Sequence, residues 1–313
     1  MSKSQLSAAM NDIKGNKYTW NLYFFKISHR RKGNPYYVYK HTFKSAAYLP
    51  DYMTSLSDTV LHYQIEPLGT VQEYDGENSK TSCDKLKVDS ELINEQWLYF
   101  SNSVSGAPRE QVSGKYQGYI LDGQPVITSD PSIILVKTGN PIISLENKNT
   151  RVFKHTANDE LEYLTDELCR LYLNVDFIVI RDIMYSFNHS FEGIFNIEKT
   201  LHRLKNQAID EIISTQAFHD SEKVQTFMNR YTSPKTFLTL KDQRMEKLNT
   251  PQGRAEISSR LKLSLSENSE LIINDQEQAN QLIKYLCYKI FQDKETDNLI
   301  EVNSVINDNI LSS

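Results

Sequence analysis

A chain of 313 residues with a net charge of −5, 24% charged and 39% hydrophobic residues is a folded globular protein longer than one typical domain. Its 18 tyrosines and 13 phenylalanines exclude a disordered chain, no apolar run approaches the length of a membrane span, and residues 1–17 lack the apolar core of a signal peptide. Three isolated cysteines, Cys83, Cys169 and Cys287, exclude a disulfide framework and a zinc knuckle, and place the chain in a reducing, cytoplasmic compartment.

In chain order, residues 18–27 (YTWNLYFFKI) are aromatic and β-favouring. Gly33-Asn34-Pro35 then leads into Tyr36 to Lys40, which predicts two antiparallel strands joined by a turn. Helical stretches are expected near Phe43 to His62 and Ser90 to Phe100, with an exposed loop over Glu73 to Asp84 between them. Further strands are expected at Lys115 to Leu121, Pro125 to Thr128, Ile133 to Lys137, Pro141 to Glu146 and Arg151 to His155. The turn signals Asp122-Gly123 and Thr138-Gly139-Asn140 separate them. Phe177 to Ile180 reads as a buried strand, after which the apolar period changes from two to about 3.6.

Phe191, Ile194, Leu201, Leu204, Ala208 and Ile212 fit one face of a single long helix, with Lys199, Arg203 and Asn206 on its polar side. Ser233-Pro234 and Thr250-Pro251 place a capping hydroxyl before a proline and predict two helix starts. Asn274 with Glu277 resembles a capping box opening a last helix with Ala279, Leu282, Ile283, Leu286 and Ile290 inward. The reading is an α+β protein: an N-terminal, antiparallel strand-rich domain over residues 1–186, and a mostly helical domain over 187–313.

Charge is unevenly spread along this plan. Residues 26–44 carry six Lys/Arg and no acid, residues 45–198 carry 11 basic and 23 acidic side chains, residues 199–262 carry 12 and 7, and residues 263–313 carry 3 and 9. Within the helical half, Lys199, Arg203, Lys205, Arg230, Lys235, Lys241, Arg244, Lys247, Arg254, Arg260 and Lys262 offer a phosphate-neutralising surface for largely sequence-independent nucleic-acid binding. Ordinary solvated helix faces are the competing reading, since the domain as a whole is not basic. His29-Arg30-Arg31-Lys32 is a smaller basic candidate beside the first turn.

The seven histidines lack any metal-binding spacing, Gly114-Lys115 lacks the rest of a phosphate loop, and no nucleophile elbow or dinucleotide fingerprint is present. These residues point to no cofactor and no metal, and away from an enzyme. One pattern stands apart: Asp130 before an apolar strand, and Glu146-Asn147-Lys148 after the next, in the D…E-x-K order of restriction-type nucleases. There two carboxylates hold Mg²⁺ and a lysine helps to position the attacking water.

Tyr185 to Phe195 (YSFNHSFEGIF), a strand exit followed by F-E-x-x-F opening a helix, resembles the signature region of the KwaB-like family of Kiwa anti-phage systems, over roughly the C-terminal 130 residues. Phe191 and Phe195 read as core residues, and Glu192 suits the helix dipole. The resemblance implies a cytosolic, homodimeric, DNA-binding effector that works with the membrane protein KwaA at the inner membrane and restrains phage replication or transcription. It carries over no catalytic residue. The leading expectation is therefore non-catalytic duplex-DNA binding through Lys199, Arg203, Lys235, Lys241, Arg244, Lys247, Arg254, Arg260 and Lys262. The alternatives are a Mg²⁺-dependent nuclease using Asp130, Glu146 and Lys148, and a protein-interaction module without DNA binding.

Overall fold

The computed structural model describes residues 2–14, 17–28, 33–43, 48–76, 81–108, 115–143, 153–155, 161–163, 168–240, 242–292 and 299–301. The chain divides into two compact units, residues 1–73 with 78–196 and residues 74–77 with 197–313. Strands dominate the first and helices the second, which is the α+β class expected from the sequence.

The first unit begins with α1 (Lys3–Asp12), β1 (Tyr18–Ile27), β2 (Tyr36–His41) and α2 (Tyr48–Thr59), which widens into a π-turn over Val60–Ile65. There follow β3 (Thr70–Glu73), β4 (Ser82–Lys87), α3 (Asn94–Ser105), β5 (Gly118–Pro125) and β6 (Ile133–Thr138). The short strands β7 (Ile142–Ile143), β8 (Phe153–His155), β9 (Leu161–Tyr163) and β10 (Leu168–Cys169) come next, then β11 (Phe177–Ile180), β12 (Ile183–Ser186) and α4 (Ser190–Ile194). Eight of the strands form one sheet in the order β2-β1-β5-β6-β11-β12-β4-β3. Its neighbours are antiparallel except β3 and β4, which run parallel.

Both faces of this sheet are covered, which is why its central strands are apolar without alternation. On one face Leu6 and Met10 of α1 and Met53, Leu56 and Val60 of α2 and its π-turn belong to one core with Leu22, Phe24, Leu121, Leu135 and Ile178. On the other, Phe100 of α3 meets Phe25 and Tyr36 edge-on, with ring centroids 6.0 and 5.3 Å apart, and Phe195 lies 5.7 Å from Phe100 and 5.9 Å from Phe177. Phe191 and Phe195 of the family-like motif are thus core residues, as their spacing predicts.

Several expected elements move. Asp122-Gly123, read as a turn, lies inside β5, where Gly123 pairs with Trp20. A Cβ there would sit 2.7 Å from the Trp20 ring, so this glycine serves close approach and not chain reversal. Pro125 ends β5, and residues 126–130 make the turn expected three residues earlier. The loop expected over Glu73 to Asp84 yields to β4 from Ser82. Of the strand expected at Pro141 to Glu146, Ile142–Ile143 is seen as β7, and residues 144–150 lie outside the described residues.

The second unit holds α5 (Ile197–Ser214), α6 (Ser221–Asn229), a 3₁₀ turn over Pro234–Thr239, α7 (Asp242–Glu246), a 3₁₀ turn over Lys247–Asn249 and α8 (Pro251–Leu261). It continues with the hairpin β13 (Ser264–Leu265) and β14 (Leu271–Ile272), α9 (Gln276–Leu286), and the pair β15 (Ile290–Gln292) and β16 (Leu299–Glu301). Ile209, Ile212, Met228, Leu248, Ile257, Leu282, Ile283 and Leu286 share its core. The single helix expected from Phe191 to Ile212 is broken at Asn196, whose φ of 48° is a left-handed conformation that Asn tolerates.

Thr250 caps α8 as its position before Pro251 predicts, its Oγ1 accepting from the Gly253 N–H at 3.1 Å. Ser233-Pro234 opens the 3₁₀ turn without a side-chain cap bond. The last helix is capped by Asp275, one residue later than expected, through the Gln278 N–H at 2.9 Å. Ile290 belongs to β15.

Gly253 sets a sharp test of this packing. A Cβ at this position would stand 2.3 Å from the Lys247 carbonyl oxygen and 2.7 Å from its Cα, both backbone atoms that cannot swing aside. Gly253→Ala is expected to cost about 1–3 kcal/mol, typical of overpacking, seen as a lowered midpoint in urea unfolding. An unchanged midpoint would mean that the α7–α8 corner yields to a methyl group at little cost.

Candidate nucleic-acid interface

α5 is amphipathic. Ile197, Leu201, Ala208, Ile209 and Ile212 are buried, so the same helical period leaves Lys199, Arg203 and Asn206 exposed. The Arg203 guanidinium donates to Gln207 Oε1 at 3.1 Å. Lys205 does not join this surface. It lies between Leu201 and Ile209 on the inward stripe, and its ammonium donates to the carbonyls of Asn229 and Tyr231 at 2.8 and 2.6 Å. A cation there satisfies carbonyls left open at the C-terminal end of α6; burial lowers its pKa.

The remaining basic candidates sort by what they touch. Lys247 and Arg260 converge on Glu256, at 2.7 and 3.0 Å, and the Lys247 bond leads the causes that hold this carboxyl below its ordinary value. Lys262, exposed, ends α8 in a left-handed conformation with φ 54°. Lys235 is half-buried in the first 3₁₀ turn, and Arg230 is exposed at the end of α6.

Arg244 and Arg254 hold the unit together. Arg254 donates to the carbonyls of Ser269 and Leu248 at 2.7 and 2.8 Å. Arg244 bonds the Tyr285 carbonyl, and its guanidinium carbon lies 4.4 and 3.6 Å from the ring centroids of Tyr285 and Tyr288. Burial lowers its pKa. Lys241 lies outside the described residues. The structure therefore brings Lys247 and Arg260 together, shows Lys199 and Arg203 side by side on one exposed helix face, and engages Arg244 and Arg254 in main-chain contacts.

In the first unit, Asp130 sits in the turn before β6, its N–H bonded to the Ile127 carbonyl at 3.0 Å. Glu146 and Lys148 lie outside the described residues, as do His29 to Lys32. Among the described residues, no group of three or more His, Cys, Asp or Glu side chains is placed to hold a metal ion.

Sequence reasoning missed a polar node in this unit. Asp176, 2% exposed, accepts from Lys137 Nζ (2.8 Å), from the Thr138 N–H (2.7 Å) and hydroxyl, and from Asn188 Nδ2 (2.8 Å). Burial alone would push this carboxyl up, but the bonds from Lys137, Thr138 and Asn188 outweigh it and hold it below the ordinary carboxylate range. Asn188 belongs to the family-like motif, and its side-chain oxygen also accepts the Ser190 N–H at 2.8 Å. The node thus fixes the entry to α4.

Asp122 is the opposite case. It is 6% exposed and takes a bond from Gln124 at 2.7 Å; burial raises its pKa. A raised native pKa means that stability falls as pH rises through the unfolded value towards the native one. Asp122→Asn is therefore expected to raise the unfolding midpoint at neutral pH, with the gain vanishing in acid. A loss at neutral pH would contradict this.

A family model, Kiwa protein KwaB-like, matches residues 127–294, more than half of the chain. That span runs from the turn holding Asp130 to the end of β15 and includes the Asp176 node, α4 and the basic stretch from α5 to α8. No curated protein and no solved structure matches the chain. On the strength of the family match, the chain belongs to the Kiwa protein KwaB-like family, with a role in Kiwa anti-phage defence.

Proposed function

We propose that this chain is a non-catalytic DNA-binding component of Kiwa defence, gripping duplex DNA through phosphate contacts from its helical unit. The observation that carries the reading is the excess of 12 Lys/Arg over 7 acids across residues 199–262, with Lys199, Arg203 and Lys262 exposed and, in the same unit, Lys247 and Arg260 meeting at Glu256. Lys235 and Lys241 complete the proposed set. Arg244 and Arg254 support it chiefly by fixing α7, α8 and the segments they touch. Contacts to phosphates explain how a defence protein acts on foreign DNA without reading its sequence.

No helix among the described residues is long and apolar enough to cross a membrane; in this reading the chain acts at the inner membrane through a membrane-embedded partner, KwaA. The cytoplasmic protein, as a homodimer, then restrains phage replication or transcription by occupying DNA.

The test is a titration of labelled duplex at rising salt. Log affinity is expected to fall linearly with log salt, by about 0.9 per phosphate contact. Affinity indifferent to salt, or no binding, would overturn the reading. Strand cleavage when Mg²⁺ is added would overturn its non-catalytic part.

A further inference from the structure

We infer that Arg170 and Tyr172, on the loop between β10 and β11, form a second nucleic-acid site in the strand unit, one that takes an unstacked nucleobase with its phosphate. This extends the proposed DNA reading to a different ligand form and a different surface.

The loop is rigidly seated from below. The Tyr119 hydroxyl donates to the Tyr172 carbonyl at 2.9 Å and accepts the Tyr172 N–H at 2.8 Å, and the Tyr52 hydroxyl donates to the same carbonyl at 2.9 Å. Three residues on, the Gln64 side chain bonds both the carbonyl and the N–H of Val175, at 2.7 and 3.0 Å. The Arg170 N–H is held by the Pro141 carbonyl at 2.7 Å. So much anchoring of a surface loop by a buried tyrosine, a half-buried one and a glutamine preorganises whatever its side chains present.

What they present is planar and cationic. The Arg170 guanidinium lies over the Tyr172 ring with its carbon 4.7 Å from the centroid, and the Lys137 ammonium stands 5.8 Å from the same ring. Lys137 is paired with Asp176 at 2.8 Å. Arg170 is exposed and meets no carboxylate or carbonyl acceptor for its guanidinium among the described residues, so its edge N–H groups remain available to an incoming anion. Beside it Leu168 and Leu173 are 44% and 40% exposed, apolar surface that a ligand ring would cover.

A guanidinium stacked on a tyrosine offers its outer face to a base and its edge to a phosphate, which is how unpaired nucleotides are bound. A duplex, whose bases are already stacked on one another, cannot use that outer face. The site therefore selects single strands, frayed ends or free nucleotides.

The experiment measures the affinity of the full chain for a labelled thymidine oligomer of about twelve nucleotides and for a duplex of equal length, with thymidine monophosphate as competitor. The oligomer is expected to bind, and Arg170→Ala and Tyr172→Ala are each expected to weaken it about tenfold or more. Tyr172→Phe should bind normally, and duplex affinity should be unchanged in all three variants. Competition by the monophosphate would assign the site to free nucleotides; its failure would assign it to strands. No binding of the oligomer, unchanged affinity in Arg170→Ala, or equal losses for oligomer and duplex would overturn the proposal. Arg170→Ala alters an exposed side chain and so is not confounded by misfolding. Failure of the duplex reading is separately visible, because duplex affinity would then show no dependence on salt.

Discussion

Asp176→Ala is expected to destabilise the strand unit by about 3–5 kcal/mol, the cost of removing one partner from a buried ion pair. The main-chain bonds of this residue, from its N–H to the Val136 carbonyl at 2.8 Å and from the Phe187 N–H at 2.9 Å, survive the substitution. Its carboxylate bonds do not. The Lys137 ammonium, whose side chain is 16% exposed, is left without its acceptor, and the Thr138 N–H and the Asn188 amide lose theirs. An ammonium with little access to water and an orphaned main-chain donor each carry a desolvation cost that no neighbour relieves.

Asp176→Asn keeps one oxygen acceptor, and its loss should be smaller. The pH dependence follows from the depressed native pKa. The stabilisation is fully present above the unfolded carboxylate value and is lost as pH falls through the native one. The gap between wild type and Asp176→Ala in urea midpoint should therefore be widest at neutral pH and close in acid. A gap that stayed constant down to low pH would show that the lost energy is packing and not charge.

That node also marks where sequence reading ended. β1 and β11 were legible because unbroken aromatic and apolar runs have few other places to go than a doubly covered sheet. The carboxylate of Asp176 was not, because its partners stand 39 and 12 residues away and only the pairing of β6, β11 and β12 brings them together. Asp122-Gly123 misled for a local reason: a turn dipeptide and a glycine under a tryptophan ring have the same letters.

Other misses left a signal in the chain. The helix α1 is short and has only Leu6 and Met10 buried, yet Ser2 and Gln5 stand at capping-box spacing and do form one. Lys205 could have been set aside by its period, four residues after Leu201 and four before Ile209, both buried. Arg244 and Arg254 could not, because nothing in an arginine's letter separates a guanidinium bound to carbonyls from one facing solvent.

That distinction decides how the DNA reading must be tested. Reversing Arg254 to Glu would place a carboxylate against the carbonyls of Ser269 and Leu248, and reversing Arg244 would strip two tyrosine rings of their cation. Either change damages the unit before it reports on DNA. The informative variant combines Lys199→Glu, Arg203→Glu and Lys262→Glu, all exposed positions, two on α5 and one at the end of α8.

If each residue neutralises one phosphate, the salt slope of the variant should be shallower than that of wild type by about 2.7. Counterion release at physiological salt then implies an affinity loss of roughly a hundredfold. Urea midpoints should stay close to wild type, as expected for solvated surface positions. A hundredfold loss with an unchanged salt slope would point to a disturbed fold, and an unchanged affinity would move the duplex contact away from these three residues. The paired readout separates phosphate contact from structural damage because only a phosphate contact couples affinity to the release of counterions.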